Sequence, residues 1–381
     1  MPELVLGTRK GLFVLEGEPS GPFEVRARAF AGETVDHAAR DPRSGRIFAT
    51  VTSPFYGPKI FYTDRTVKDW EGAADAAGRI PEPEQPAFPP PQAVPGWEQA
   101  SGVELPKGGE AALKRIWVIE PGEEDGVVFA GGDPGVLFKS TDGGASFTLN
   151  EALWNEPTRS GWQPGGGGLC LHSIVTWPGE PDRLAVGISA AGVWLTDDAG
   201  KSWRQGNEGL KARYLPEDAP EDQIALCVHR VHRAAARPER LFLQFHGGVY
   251  RSDDAGSSWT AIGDGLPSDF GFPLAVDPAD PDSAYVIPLT ADVDRVTPGE
   301  KVRVYETRDA GSSWTPRGEG LPAEHAYLTI LREAFDWTGE GASLGLYFGA
   351  TSGTVFGSAD AGARWFTVAD RLPPVLSVTV S

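Results

Sequence analysis

The sequence predicts an all-β fold, a seven-bladed β-propeller, on three observations. A turn-forming motif returns at near-constant spacing, paired apolar runs precede each copy, and the composition is one of turns and aromatic packing. The 381 residues include 48 Gly, 33 Pro, 12 Trp and 18 Phe, which favours short strands over long helices.

The motif reads Ser or Thr, any residue, Asp, any residue, Gly, two more, then an aromatic. It occurs as Ser140–Asp142–Gly144–Phe147, Thr196–Asp198–Gly200–Trp203 and Ser252–Asp254–Gly256–Trp259, then as Thr307–Asp309–Gly311–Trp314 and Ser358–Asp360–Gly362–Trp365. Start positions rise by 56, 56, 55 and 51 residues, so one supersecondary unit is repeated. The carboxylate accepts nearby backbone N–H groups, the glycine supplies positive φ, and the aromatic anchors the turn to the sheet. These acids are therefore structural and leave the list of catalytic groups.

Each copy follows two strand-like runs, such as Leu184–Ile188 with Gly192–Leu195, or Leu241–Phe245 with Val249–Tyr250. Ile47–Val51 and Lys59–Tyr62 precede a degenerate copy from Thr63 to Trp70, where Arg65 replaces Asp and Val67 replaces Gly. Leu4–Gly7 and Gly11–Leu15 make an earlier pair with no motif. Two units plus five give seven. The first lacks an innermost strand, and Val375–Val380 is expected to supply it and close the ring. Residues 1–381 then read as one domain, with a Pro-rich insertion at 71–109 as a lid over the channel mouth. Further insertions run from Ala291 to Lys301 and from Lys211 to Gln223.

A net charge of −19 disfavours nucleic acid and anionic lipid as partners. Absence of a signal-like start, of a membrane-length apolar run and of a disulfide framework predicts a cytoplasmic protein.

In a propeller the innermost strands line the channel, and loops leading into them gather residues distant in sequence. Cys170-x-His172 and Cys227-x-His229 hold both cysteines, 57 residues apart, on inner strands of adjacent blades. Strict alternation would turn each pair to one face, giving a Cys2His2 set for a transition metal such as Zn, with His37 as a further ligand. The alternative is that these are buried core residues. Catalytic candidates on the loops are Glu110, Arg115, Arg332, Glu333 and His246. Glu110 and Glu333 could be a glycosidase pair if the ring brings them together. Gly165–Gly168 is Gly-rich but lacks the Lys-Ser/Thr ending of a phosphate loop.

The repeated turns resemble the Asp box of the sialidase and BNR-repeat proteins. Gly7–Phe13, Trp162–His172, Gly265–Phe272, Val249–Asp254 and Leu331–Ala334 extend the resemblance to the bacterial BNR-repeat proteins labelled glycosyl hydrolase or exo-α-sialidase. The resemblance implies a hydrolase acting on a small molecule or carbohydrate at the channel mouth. Sialidases are six-bladed and place an Arg-Ile-Pro motif ahead of their first box, whereas Arg79–Pro81 here follows the degenerate one. Similarity to the propeller-shaped photosystem II assembly factors implies instead a non-catalytic scaffold for a protein partner. The Cys-x-His pairs keep a metal-binding propeller as a third reading.

Overall fold

The computed structural model describes residues 1–82, 93–108, 111–212 and 225–381. Among these the fold is all-β, of β-propeller type, with sheets mostly of four antiparallel strands. The four-stranded sheets begin with Thr34–Arg40, Arg115–Pro121, Leu171–Thr176, Val228–Arg233 and Gly271–Val276. An eight-stranded sheet joins the two ends of the chain. At its middle Val375–Val380 pairs antiparallel with Glu3–Thr8 and meets Ile330–Thr338 through one parallel bridge, Glu333 to Ser377. No helix among the described residues is long and apolar enough to cross a membrane.

The core lies between sheets. Val118, Phe129 and Leu137 of one sheet interlock with Leu171, Val186 and Trp194 of the next, and the neighbouring clusters repeat this arrangement. Glycine on the second strand lets the following sheet come close. A Cβ at Gly131 would stand 2.6 Å from the Leu171 carbonyl oxygen, and one at Gly349 would stand 2.5 Å from Val375 Cγ1. Neither strand could carry a side chain there without moving its neighbour.

The five motif turns share the bonds from Ser/Thr to Asp and from Gly to Ser/Thr, and the first four add a serine hydroxyl on the Asp where the fifth has Arg364. Ser252 Oγ donates to Asp254 Oδ1 at 2.8 Å and accepts from the Gly256 N–H at 2.8 Å. Asp254 then accepts from Ser258 N–H and hydroxyl at 2.8 and 2.6 Å. Gly256 takes φ +86° and Ala255 φ +58°, so the turn needs two successive left-handed residues. The aromatic does more than plug the turn. Trp259 and Trp314 donate their indole N–H to Gly206 and Ile262 carbonyls of the preceding sheet, at 2.9 and 2.7 Å. These two tryptophans latch their sheets to the one before, whereas Trp365 donates to Gly362 O of its own turn at 3.0 Å. The degenerate copy keeps buried Trp70 but continues into a short 3-10 turn, Val67–Asp69, and its sheet is completed only by Glu98–Gln99.

Among the described residues, the first strands of the four-stranded sheets, with Ile330–Thr338 and Val375–Val380, line one cavity, and each breaks register near its start. The slips leave Asp36, Trp117, His172, His229 and Leu376 without a direct partner. Longer slips release Phe272–Pro273 and Leu331–Ala334. A β-bulge re-aims the side chains that follow it. Strict alternation therefore fails at the positions from which function was to be read.

Ser252→Ala removes the hydroxyl and strands a buried N–H, so it should cost about 1–3 kcal/mol, measurable by urea denaturation. The Asp142 carboxylate is held at about 2, chiefly by the Ser146 hydroxyl. Its folded pKa lies below its unfolded one, so its contribution is complete above about pH 4 and is lost as pH falls toward 2. Asp142→Asn should shallow the acid limb of the stability–pH curve.

Candidate functional site

A cavity of about 530 Å³ opens where the lining strands end, not where they begin. This is the face carrying the motif turns, since Ala255 and Ala310 donate their N–H to Glu239 and Asp282 in the loops that follow the lining strands. The sequence placed function at the opposite face.

Its polar centre is Arg230, between Glu333 and His232. One Nη1 makes an ion pair with Glu333 Oε2, while Nε donates to His232 Nε2 at 2.8 Å. Glu333 comes from the four-residue slip of its strand, Arg230 from just after the slip in its own. Buried Glu333 Oε1 has no hydrogen-bond partner. His37 accepts the Ile119 N–H at Nδ1, leaving Nε2 directed at Glu333 Oε2, 4.0 Å away. Burial, then the Arg230 charge, lowers its pKa to about 3, so the ring is neutral.

Two further carboxyls share the cavity. Burial pushes Glu120 up to about 8; Arg230 opposes this, and Asp336, Glu333 and Glu123 add to it. Asp336 is raised to about 6 by burial, although the Val380 N–H bonds it at 2.8 Å. Glu333 is raised by burial and lowered by Arg230 and Arg332. Arg230 thus acts on three acids in a confined space, and burial favours the protonated form of each. Trp337 lines the same cavity and packs edge-on against His232 with ring centroids 4.9 Å apart.

The other predicted residues lie toward the start of the strands. Arg115 pairs with Asp36 at 3.2 Å and covers the Trp117 ring. Buried Arg332 sits over both Trp117 and Phe272 and donates to Ser189 Oγ at 3.2 Å. Glu110 lies outside the described residues, as does most of the Lys211–Gln223 insertion, so the Glu110–Glu333 pair has no geometry here.

The Cys2His2 set requires correction. His172 is the bulged residue of its strand, and its ring nitrogens face Val228 O at 2.9 Å and Ser173 Oγ at 3.0 Å. Cys170 Sγ donates to Gly167 O at 3.1 Å. His37 is in the cavity, away from both cysteines' loops. Only Cys227 and His229 meet, Sγ to Nε2 at 3.5 Å, and their third neighbour is His246, not a residue of the first pair.

Sequence reading missed Arg230, Glu120, Asp336 and His232. The available signal was the string Val228-His-Arg-Val-His-Arg233, dense in charge for a strand that must be buried.

No protein-family profile matches the chain. A xyloglucanase of Hypocrea jecorina (strain QM6a) is 26% identical in a 248-residue alignment that covers 60% of this chain. The chain spans only 28% of that protein's length. Among solved structures, an ancestral GH74 enzyme superposes with TM-score 0.54 at 16% identity, over 93% of this chain and 39% of its own. YCF48 from Cyanidioschyzon merolae gives 0.53 at 12% identity, over 88% and 85% of the two chains. AztD from Citrobacter koseri gives 0.52 at 12%, over 100% and 98%. What these structures share with the chain is the propeller fold.

Glu120 keeps its proton when folded but loses it near 4.5 when unfolded, so folding becomes less favourable as pH rises from about 4.5 to 8. Glu120→Gln should flatten that slope in denaturation measured across the range. Arg230→Met, which leaves buried Glu333 unpaired, should lower stability by roughly 3–5 kcal/mol.

Proposed function

We propose that this chain is a single seven-bladed propeller, closed by Val375–Val380, that hydrolyses a carbohydrate in the central cavity. The closure reading is supported by the pairing of the last strand with the first. The observation that carries the chemistry is the set of three carboxyls gathered around Arg230 in one cavity, with burial raising Glu120 to about 8. Glycoside hydrolysis needs one carboxyl that donates a proton to the leaving oxygen and one ionised carboxylate opposite. Environments that push two acids apart in pKa assign those roles.

Glu120 is the general acid in this reading. Glu333 is the ionised partner, its Oε2 held by Arg230 and its Oε1 buried without a hydrogen-bond partner. His37 and Arg230 are positioning residues on Glu333. Trp337 offers an apolar face for a pyranose ring. The relation to a xyloglucanase supports a polysaccharide fragment rather than a sialoside.

Aryl glycosides, xyloglucan oligosaccharides and a sialoside should be compared as substrates. Turnover of a neutral glycoside is expected, and Glu333→Gln should lower it by about 10²–10⁴-fold. Activity should fall as pH rises through about 8, where Glu120 loses its proton. Inactivity across the panel, with Glu333→Gln indistinguishable from the parent in binding, would overturn the hydrolase and leave a scaffold.

A further inference from the structure

At the opposite end of the channel, Cys227, His229 and His246 each present a donor atom, and all of these lie within 4.8 Å of one another. Cys227 and His229 stand at the start of one lining strand. His246 is in the turn that follows the next strand, and its backbone N–H donates to the Cys227 carbonyl at 3.0 Å. Pairing along the sheet therefore fixes the three relative to one another. The group is separate from the acid cavity and independent of the hydrolase reading.

Several geometric features point to a ligand. Zinc bonds of about 2.3 Å to sulfur and 2.0–2.1 Å to nitrogen, at a tetrahedral angle, put the two donors roughly 3.5 Å apart. Cys227 Sγ and His229 Nε2 are 3.5 Å apart. His229 Nδ1 faces the Gly271 carbonyl at 2.6 Å, which makes Nδ1 the protonated nitrogen and leaves the Nε2 lone pair toward the sulfur. His246 has a carboxylate beside it, Asp292 Oδ2 at 3.7 Å from Nε2, a partner of the kind that orients ligating imidazoles. The ring of His229 is boxed in by Phe270 and Phe272, so it has little freedom to leave this arrangement.

We propose that Cys227, His229 and His246 form a three-ligand site for a borderline or soft divalent metal, with Zn²⁺ the natural occupant of such a set and a fourth position left for a non-protein ligand. The thiolate is the ligating form. Burial opposes it, while the Arg332 charge, the Ala190 N–H, the Arg295 charge and the Ser189 hydroxyl favour it. The same two guanidiniums oppose a dication. The thiolate offsets part of that repulsion, and an anionic oxygen ligand at the fourth position offsets more. This differs from the sequence expectation in composition: Cys170, His172 and His37 are excluded, and His246 is included.

The test is titration of the metal-stripped full chain with Co²⁺ and Zn²⁺. One equivalent of Co²⁺ should bind with a thiolate-to-cobalt absorption band, and Zn²⁺ should displace it. Cys227→Ser should abolish the band and weaken Zn²⁺ by more than about 100-fold, whereas Cys170→Ser should change neither. Asp292→Ala, on the surface and outside the core, should weaken Zn²⁺ by about 10–100-fold with the fold intact. Failure to bind Co²⁺ or Zn²⁺ at one equivalent overturns the site. So does a band that survives in Cys227→Ser but vanishes in Cys170→Ser.

Discussion

The register slip in each lining strand is the constraint on which both ends of the channel depend. In an uninterrupted antiparallel pair, alternate residues would face the flanking sheets, and the lumen would be lined by a simple every-other-residue pattern. The slip sets two or more residues against one, twists the strand and turns the next side chains. Asp36, Trp117, His172 and His229 are the unpaired residues of their strands, and Arg332 and Glu333 fall within the longest slip. The functional side chains thus come from positions where the backbone departs from ideal pairing.

Two environments result along one axis. Toward the motif-bearing face, Arg230 acts on three acids, and burial holds Glu120 and Asp336 above their ordinary values. Toward the other face, Arg332 acts on both Cys–His pairs and Arg295 on Cys227 and His229, and aromatic rings hold the guanidinium of Arg332 in place. Arg230 belongs to the first environment yet also reaches the His172 carbonyl, so it forms part of the wall between them.

The repeat was legible in the sequence because its causes are local. A serine or threonine, an aspartate and a glycine at fixed spacing can be satisfied within one turn, and the structure shows the same bonds in copies 56 residues apart. The pairing of the final strand with the first was legible for a similar reason, as an unpartnered edge. The site was not. Alternation placed Cys170 and His172 on one face, but the bulge at His172 sends its ring to Val228 O instead. The clue lay on the partner strands: Gly131, Gly187 and Gly349 interrupt otherwise apolar runs where the slips occur and where the next sheet approaches. Glu333 was named from the sequence, but Glu120 and Asp336 escaped notice because loops, not strand ends, were taken as the seat of chemistry.

The pairing of Glu3–Thr8 with Val375–Val380 also constrains biosynthesis. The first strand leaves the ribosome with one edge unmatched, and its partner is made some 370 residues later. At ordinary elongation speeds of about 5–20 residues per second that interval is tens of seconds. Throughout it, a strand reading Leu-Val-Leu presents open amide and carbonyl groups to any neighbouring nascent chain. Protection during that window, by the sheet's own second strand or by a chaperone, is a demand that the finished protein no longer displays.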